Sequence, residues 1–284
     1  PPPGTTRLRT LLRRSAAPLE FELLGRTLLH AALVGAAAGL VGSLFFWGLE
    51  VTERFVLEGF AGYQSLRAGG EAVVAAHDGA PFRYWVLLLL PALGALIGGI
   101  ISWKFAPETR GGGADQIIED FHNHAGFVRR RVPAVKTLVS VLTLGFGGSG
   151  GREGPTMQIG GALGSLVGRY LRVSDRERRI LLVAGLSAGM AAVFRTPLGA
   201  ALLGVEVMHR DDFESDALVP SVLASVIAYS VFISFFGEAP LFTHAPRYPF
   251  IPSHLPLYAL MALMVSMAAN FFLYTLNGVQ KLSA

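Results

Sequence analysis

The chain has 284 residues, with 24 Lys and Arg against 20 Asp and Glu and a formal net charge of +4. Only 15% of residues are charged, 52% are hydrophobic and mean hydropathy is +0.49, which leaves too few polar groups to cover a soluble domain. A disordered chain, a nucleic-acid-binding basic domain and an ordinary cytosolic enzyme are therefore excluded as first readings. The absence of Cys excludes a disulfide framework, a thiolate metal site and a Cys nucleophile. The 34 glycines, without collagen-like period, suggest closely packed membrane helices.

Residues 1–14 lack the apolar core and small-residue cleavage site of a signal peptide, and Arg7, Arg9, Arg13 and Arg14 read as a cytoplasmic anchor. Residues 1–24 are predicted to form a basic cytoplasmic segment and 25–284 a transmembrane region. Stretches free of charge at 31–49, 84–103, 217–237 and 255–280 approach the ~20 residues a spanning helix needs. Those at 137–151, 154–168, 180–194 and 196–205 cross only part of a bilayer. Broken helices are tolerated where their ends are buried in protein or line a polar cavity, so the middle of the chain reads as the functional part.

With the N-terminus inside, Arg129, Arg130 and Arg131, then Arg169, Arg172, Arg176, Arg178 and Arg179, then Arg210 fall on the cytoplasmic side, provided that residues 113–121 enter and leave by one face. Loops 58–82 and 238–254 then face out, and the Gly/Ala-rich stretch 67–80 is an irregular external connection. Topology alone accounts for these arginines, with anionic-lipid binding as the alternative. Small-xxx-small pairs at Gly35/Gly39, Gly94/Gly98, Gly164/Gly168 and Gly185/Gly189 are read as helix-packing positions.

Chemistry concentrates in Gly147-Gly148-Ser149-Gly150-Gly151-Arg152-Glu153-Gly154-Pro155-Thr156. Pro155 suits the first turn of a helix, so this loop is predicted to feed a helix beginning near Gly154. The amides at that start have no intrahelical partner and carry the positive end of the dipole, a ready anion site. Glu153, read as a buried intramembrane carboxylate, would occupy it as a built-in anion when ionised and vacate it when protonated or displaced, which describes a gate. The alternative is a buried ion pair between Glu153 and Arg152.

The run Gly151-Arg152-Glu153-Gly154-Pro155-Thr156, continued by Met157-Gln158-Ile159-Gly160-Gly161, resembles the signature of the CLC family of chloride channels and chloride/proton antiporters. Phe105-Ala106-Pro107-Glu108, Val132-Pro133-Ala134-Val135-Lys136, Phe194-Arg195-Thr196-Pro197-Leu198-Gly199 and Gly204-Val205-Glu206-Val207-Met208 agree in order and spacing. The resemblance implies an all-α, polytopic membrane protein with tilted and broken helices, the first half of an inverted-repeat fold. It implies that Glu153 is the gating glutamate, that the amides of Arg152, Glu153 and Gly154 help bind the anion, and that buried Lys136 sets a positive potential along the path. Snorkelling of Lys136 towards the interface near Arg131 is the competing reading. Chloride is the implied ligand, with no cofactor, no metal and no enzymatic activity; relatives are homodimers in a bilayer, here the plasma membrane of a prokaryote.

Three departures qualify the resemblance. Gly112 stands where family members usually carry a serine whose hydroxyl meets the central anion, leaving the amides of Gly112 and Gly113 as donors. In that same departure, Asp115 of the turn replaces a proline and is read as a helix cap pointing away from the path. Val207 stands at the position of the antiporters' inner proton-passing glutamate, with Glu206 one residue earlier. Valine cannot carry a proton, so passive conduction by a voltage-gated-type chloride channel is the expectation, with chloride/proton antiport and a non-conducting regulatory homologue as alternatives. Third, the chain resembles only the first of two inverted halves and is expected to be a segment of a longer protein. A nucleotide-phosphate cradle lacks the Gly-Lys-Ser/Thr ending, and a hydrolytic metal site on His122 and His124 lacks further ligands.

Overall fold

A computed structural model describes residues 5–64, 81–208, 215–238 and 251–283, and the described residues contain helices and no strand. Arg210, the stretch 67–80 and residues 239–250 of the second outward loop lie outside them, as do the side chains of Arg7, Arg9, Arg13 and Arg14. Helix α1 (Thr5–Glu53) runs unbroken through the boundary expected at residue 24 and continues as a π-helical stretch, Arg54–Phe60. There follow α2 (Tyr84–Phe105), a 3-10 turn (Pro107–Thr109), α3 (Ala114–Asn123), α4 (Val132–Gly145), α5 (Glu153–Tyr170), α6 (Asp175–Phe194), α7 (Pro197–Met208) and α8 (Ser215–Phe236). A separate unit, His244–Ala284, holds the turn Pro252–His254 and α9 (Leu255–Ser283). Four helical stretches, Gly25–Phe60, Tyr84–Phe105, Asp216–Phe236 and Pro252–Val279, are long and apolar enough to cross a membrane.

Most of the helices overrun the charge-free windows, because backbone hydrogen bonding continues to a cap whereas charge ends at the interface. Thus α6 starts five residues before its apolar run, where Ser174 Oγ accepts from the Glu177 amide at 3.3 Å and Asp175 and Glu177 face the positive helix end. In contrast α4 stops at Gly145, earlier than its window, because the glycines that follow leave the helix, Gly147 at φ 89°.

Helix α6 is the centre of the first unit. All its residues from Leu181 to Val193 are buried, and α5, α8, α1 and α7 pack around it. An interior helix without a polar face needs close neighbours, and the small-residue pairs supply them. A Cβ on Gly189 would stand 2.6 Å from the Thr156 carbonyl oxygen, while Gly160 meets Gly185 and Gly164 meets Leu181 backbone to backbone. Gly39 packs on Ala228 of α8, and Gly94 on the Leu142 carbonyl of α4, where a Cβ would stand 2.8 Å from the oxygen.

The arginine clusters are tied into this packing. Buried Glu177 receives Arg26 Nη2 at 3.0 Å and contacts His30 Nδ1 at 2.8 Å, joining α1 to α6. Arg178 donates to the Ala125 carbonyl at 3.1 Å, Arg129 pairs with Glu108 at 3.2 Å, and the Arg169 guanidinium lies 4.5 Å from the Phe127 ring centre. Gly164→Leu must therefore separate α5 from α6 and should cost about 3 kcal/mol or more. Gly25→Ala, inside α1 where a Cβ meets nothing, should not destabilise and should add up to ~1 kcal/mol through helix propensity. Recovery of monodisperse protein after heating in detergent distinguishes the two.

Candidate functional site

The site is built around the turn between α2 and α3. Lys136, on α4, is 2% exposed and donates from Nζ to the carbonyl oxygens of Thr109 at 3.0 Å and Gly111 at 2.8 Å. It does not reach the interface near Arg131: a buried ammonium needs acceptors, and the turn presents two unpaired by helix geometry. Ser102 Oγ meets Thr109 Oγ1 at 2.8 Å, and Thr109 Oγ1 donates to the Ala106 carbonyl at 2.7 Å. From the other side Gln158 Nε2 of α5 donates to the Glu108 carbonyl at 2.8 Å.

So clamped, the turn delivers the start of α3 against the start of α5. Gly113 is the N-cap of α3 at φ 104°, and its Cα lies where a Cβ would stand 3.1 Å from the Gly154 carbonyl. Gly154 in turn packs on the Gly112 carbonyl with no room for a side chain. Helix α5 begins at Glu153 with Arg152 as N-cap and no side-chain cap, and Pro155 brings no N–H. The amides of Glu153 and Gly154 have no intrahelical partner there. Two positive helix ends thus converge, which is the arrangement that favours an anion.

Beside them lies a cleft of about 440 Å³, lined by Gly111, Gly112, Lys136, Ser140, Thr143, Ser149, Gly150, Gly151 and Pro155 among others. The structure thus brings together Gly112, Gly113, Lys136, Gly154 and the loop before Arg152. Glu153 differs from expectation. Its side chain is exposed rather than buried, with the carboxylate folded back over Gly151, where any Cβ would collide with Oε2. Nothing among the described residues covers it. The Arg152 guanidinium lies 5.6 Å from the Phe46 ring centre.

Other expected positions fall as follows. Asp115 is exposed in the first turn of α3 but is not its cap, because left-handed Gly113 takes that place; the carboxylate suits the helix dipole and does not line the cleft. Val207 is half-buried against the apolar cluster of Ile117, Phe121, Val205 and Met208, and Glu206 is exposed. His122 Nε2 contacts the Met208 carbonyl at 2.9 Å and His124 Nδ1 contacts Asp120 at 2.9 Å, so the two rings serve different partners.

Three contributors escaped the sequence reading: Gln158, the Ser102–Thr109 pair and Phe46. Gln158 carried a signal, being an amide within the charge-free run 154–168 of small and mostly apolar residues; in the structure it is fully buried. For Phe46 no local signal exists, since it meets Arg152 from a distant helix.

The sequence matches the family described as voltage gated chloride channel over residues 93–284. It is 37% identical over 238 residues to the H(+)/Cl(-) exchange transporter ClcA of Salmonella paratyphi A, an alignment covering 82% of this chain and 46% of that protein. The chain thus spans about half the length of the curated relatives it matches. Among solved structures it resembles a slow cyanobacterial Cl-/H+ antiporter (TM-score 0.69, 24% identity, 84% of this chain and 53% of that one). It also resembles a CLC-type fluoride/proton antiporter (TM-score 0.66, 22% identity, 86% of this chain and 54% of that one). At these identities the structures bear on the fold alone. With four helical stretches able to cross a bilayer, the protein is an integral membrane protein.

Gly113→Ala combines a positive φ with a Cβ placed 2.6 Å from Gln158 Oε1 and should destabilise by about 1–3 kcal/mol. Gly112→Ala, where a Cβ meets nothing within 4 Å, should change stability by less than ~0.5 kcal/mol. The shift of the thermal midpoint in detergent reads both.

Proposed function

The chain belongs to the voltage gated chloride channel family, and on that premise we propose that it supplies the first half of a chloride/proton exchanger. The convergence of the α3 and α5 N-termini beside a cleft holding a buried ammonium carries this reading. The anion is held by the amides of Gly112, Gly113, Arg152, Glu153 and Gly154, partial charges that bind weakly enough for release, with Lys136 supplying a net positive field. Glu153 competes with the anion for the same amides: ionised it blocks the position, and protonated it swings clear.

Exchange takes precedence over passive conduction, the expectation that Val207 raised. The relative at 37% identity is named for exchange. Chloride is proposed over fluoride because the fluoride likeness, at 22% identity, bears on fold only. The same reading makes the protein a transporter and not an enzyme. It needs no cofactor and works as a homodimer in a prokaryotic plasma membrane. Residues 1–24 form its basic inner segment and 25–284 the membrane region.

The test is the full-length protein in liposomes. An outward-directed chloride gradient should drive protons uphill, and Glu153→Gln should abolish both proton movement and the pH dependence of chloride flux. Chloride flux without protons would return the channel reading, and no flux at all would favour a non-conducting homologue. Gly112→Ser fits without collision and adds a hydroxyl to the cleft. It should tighten chloride binding roughly tenfold by calorimetry, the worth of one charge-assisted hydrogen bond of about 1.5 kcal/mol.

A further inference from the structure

Exchange requires a route by which a proton reaches Glu153, and Val207 offers none. It sits half-buried against an apolar cluster, with no hydroxyl or carboxyl of its own. A different polar lane runs to the gate loop. Lys136, Ser140 and Thr143 stand at i, i+4 and i+7 on α4, one stripe of a single helix face, and all three line the cleft. The lane rises about 10 Å along the helix from the ammonium to Thr143. It continues through Ser149, Gly150 and Gly151, over which the Glu153 carboxylate is folded. A cleft of about 440 Å³ is large enough to hold a chain of several waters.

At the foot of this lane Lys136 has, among the described residues, two carbonyl partners and no carboxylate. An ammonium has three N–H donors, so one remains for water or anion. Arg110 is the other charged residue lining the cleft, and it cannot give up a proton. From α2 the lining residues are Ala95, Gly98, Gly99 and Ser102, and from α5 Pro155, none of them titratable. Glu108, in the neighbouring turn, is engaged by Arg129.

We propose that Lys136, with the hydroxyl stripe above it, is the proton-relay residue that stands in for the acid missing at Val207. The ammonium passes one proton along the water chain to the Glu153 carboxylate, leaving a neutral amine and a neutral carboxyl. The amine is then reprotonated by a proton from the inner solution, so that one net proton has moved from that side to Glu153. An anion beside it favours the ammonium, and departure of that anion favours proton release, so the two movements are coupled through one side chain. The proposal rests on the exchange reading above.

The experiment measures protons moved per chloride by the full-length protein in liposomes. Lys136→Arg keeps the charge and cannot release a proton, and it should lower this ratio at least tenfold. Adding Val207→Glu to Lys136→Arg should restore the ratio to within about threefold of the parent's, which a misfolded variant would not do. Thr143→Val interrupts the lane without touching the ammonium and should also lower the ratio severalfold. A parent that moves chloride without protons overturns the exchange reading and the relay with it. A coupled parent whose ratio is retained within twofold in Lys136→Arg or Thr143→Val overturns the relay alone.

Discussion

The bonds from Lys136 to two carbonyls fix the turn on which the site depends. A trans peptide is planar, so its C=O and the following N–H point in opposite directions. Because the Gly111 carbonyl accepts from Lys136 at 2.8 Å, the Gly112 amide is held pointing away from the ammonium. One buried cation thereby orients a backbone donor. Removing the ammonium would leave two carbonyls to find other partners, at a cost of about 1–3 kcal/mol for one that stays buried without any. The second clamp, Gln158 on the Glu108 carbonyl, holds the same turn from α5, so α4 and α5 are cross-linked through a stretch of irregular backbone.

Broken helices inside a membrane protein pose a problem of satisfaction, and glycine solves its steric half. The α5 start reaches the turn only because Gly154 and Gly112 present no side chains to one another, and α5 reaches α6 only because Gly160, Gly164, Gly185 and Gly189 do the same. With both contacts in place the backbone groups at the helix ends meet polar partners or the cleft instead of lipid. Central α6 takes no part in the chemistry. Its fully buried Leu181–Val193 face is the surface on which α1, α5, α7 and α8 are fixed, and so it sets the position of the α5 N-terminus.

Much of this was legible in the sequence, for definable reasons. Runs without charge mark helices because hydrocarbon excludes charge over a length set by the bilayer, and every such run from 31–49 to 255–280 contains helix. The glycine loop before Pro155 announced the α5 start, which falls within one residue of the expected position. What was illegible depends on distant partners. Burial of Glu153 was inferred from its setting between apolar segments, yet exposure is decided by whatever covers the helix end, and local sequence does not carry that. Asp115 looked like a cap because its residue type caps helices, whereas the position was taken by a glycine that could adopt a left-handed backbone.

The same distinction bears on proton coupling. Val207 argued for passive conduction because a single position was asked whether it could hold a proton. A proton needs instead a connected polar path, and connection is a property of space rather than of one residue. Lys136, Ser140 and Thr143 are far apart when read as letters in an apolar segment but form one stripe once the chain is helical, and that stripe opens on the cleft that leads to Gly151. On the exchange reading, replacement of one acid takes away a carrier but leaves a polar lane in place. On the relay proposal, a lysine held among the described residues by two carbonyls suits that place, because an anion beside it would balance its charge.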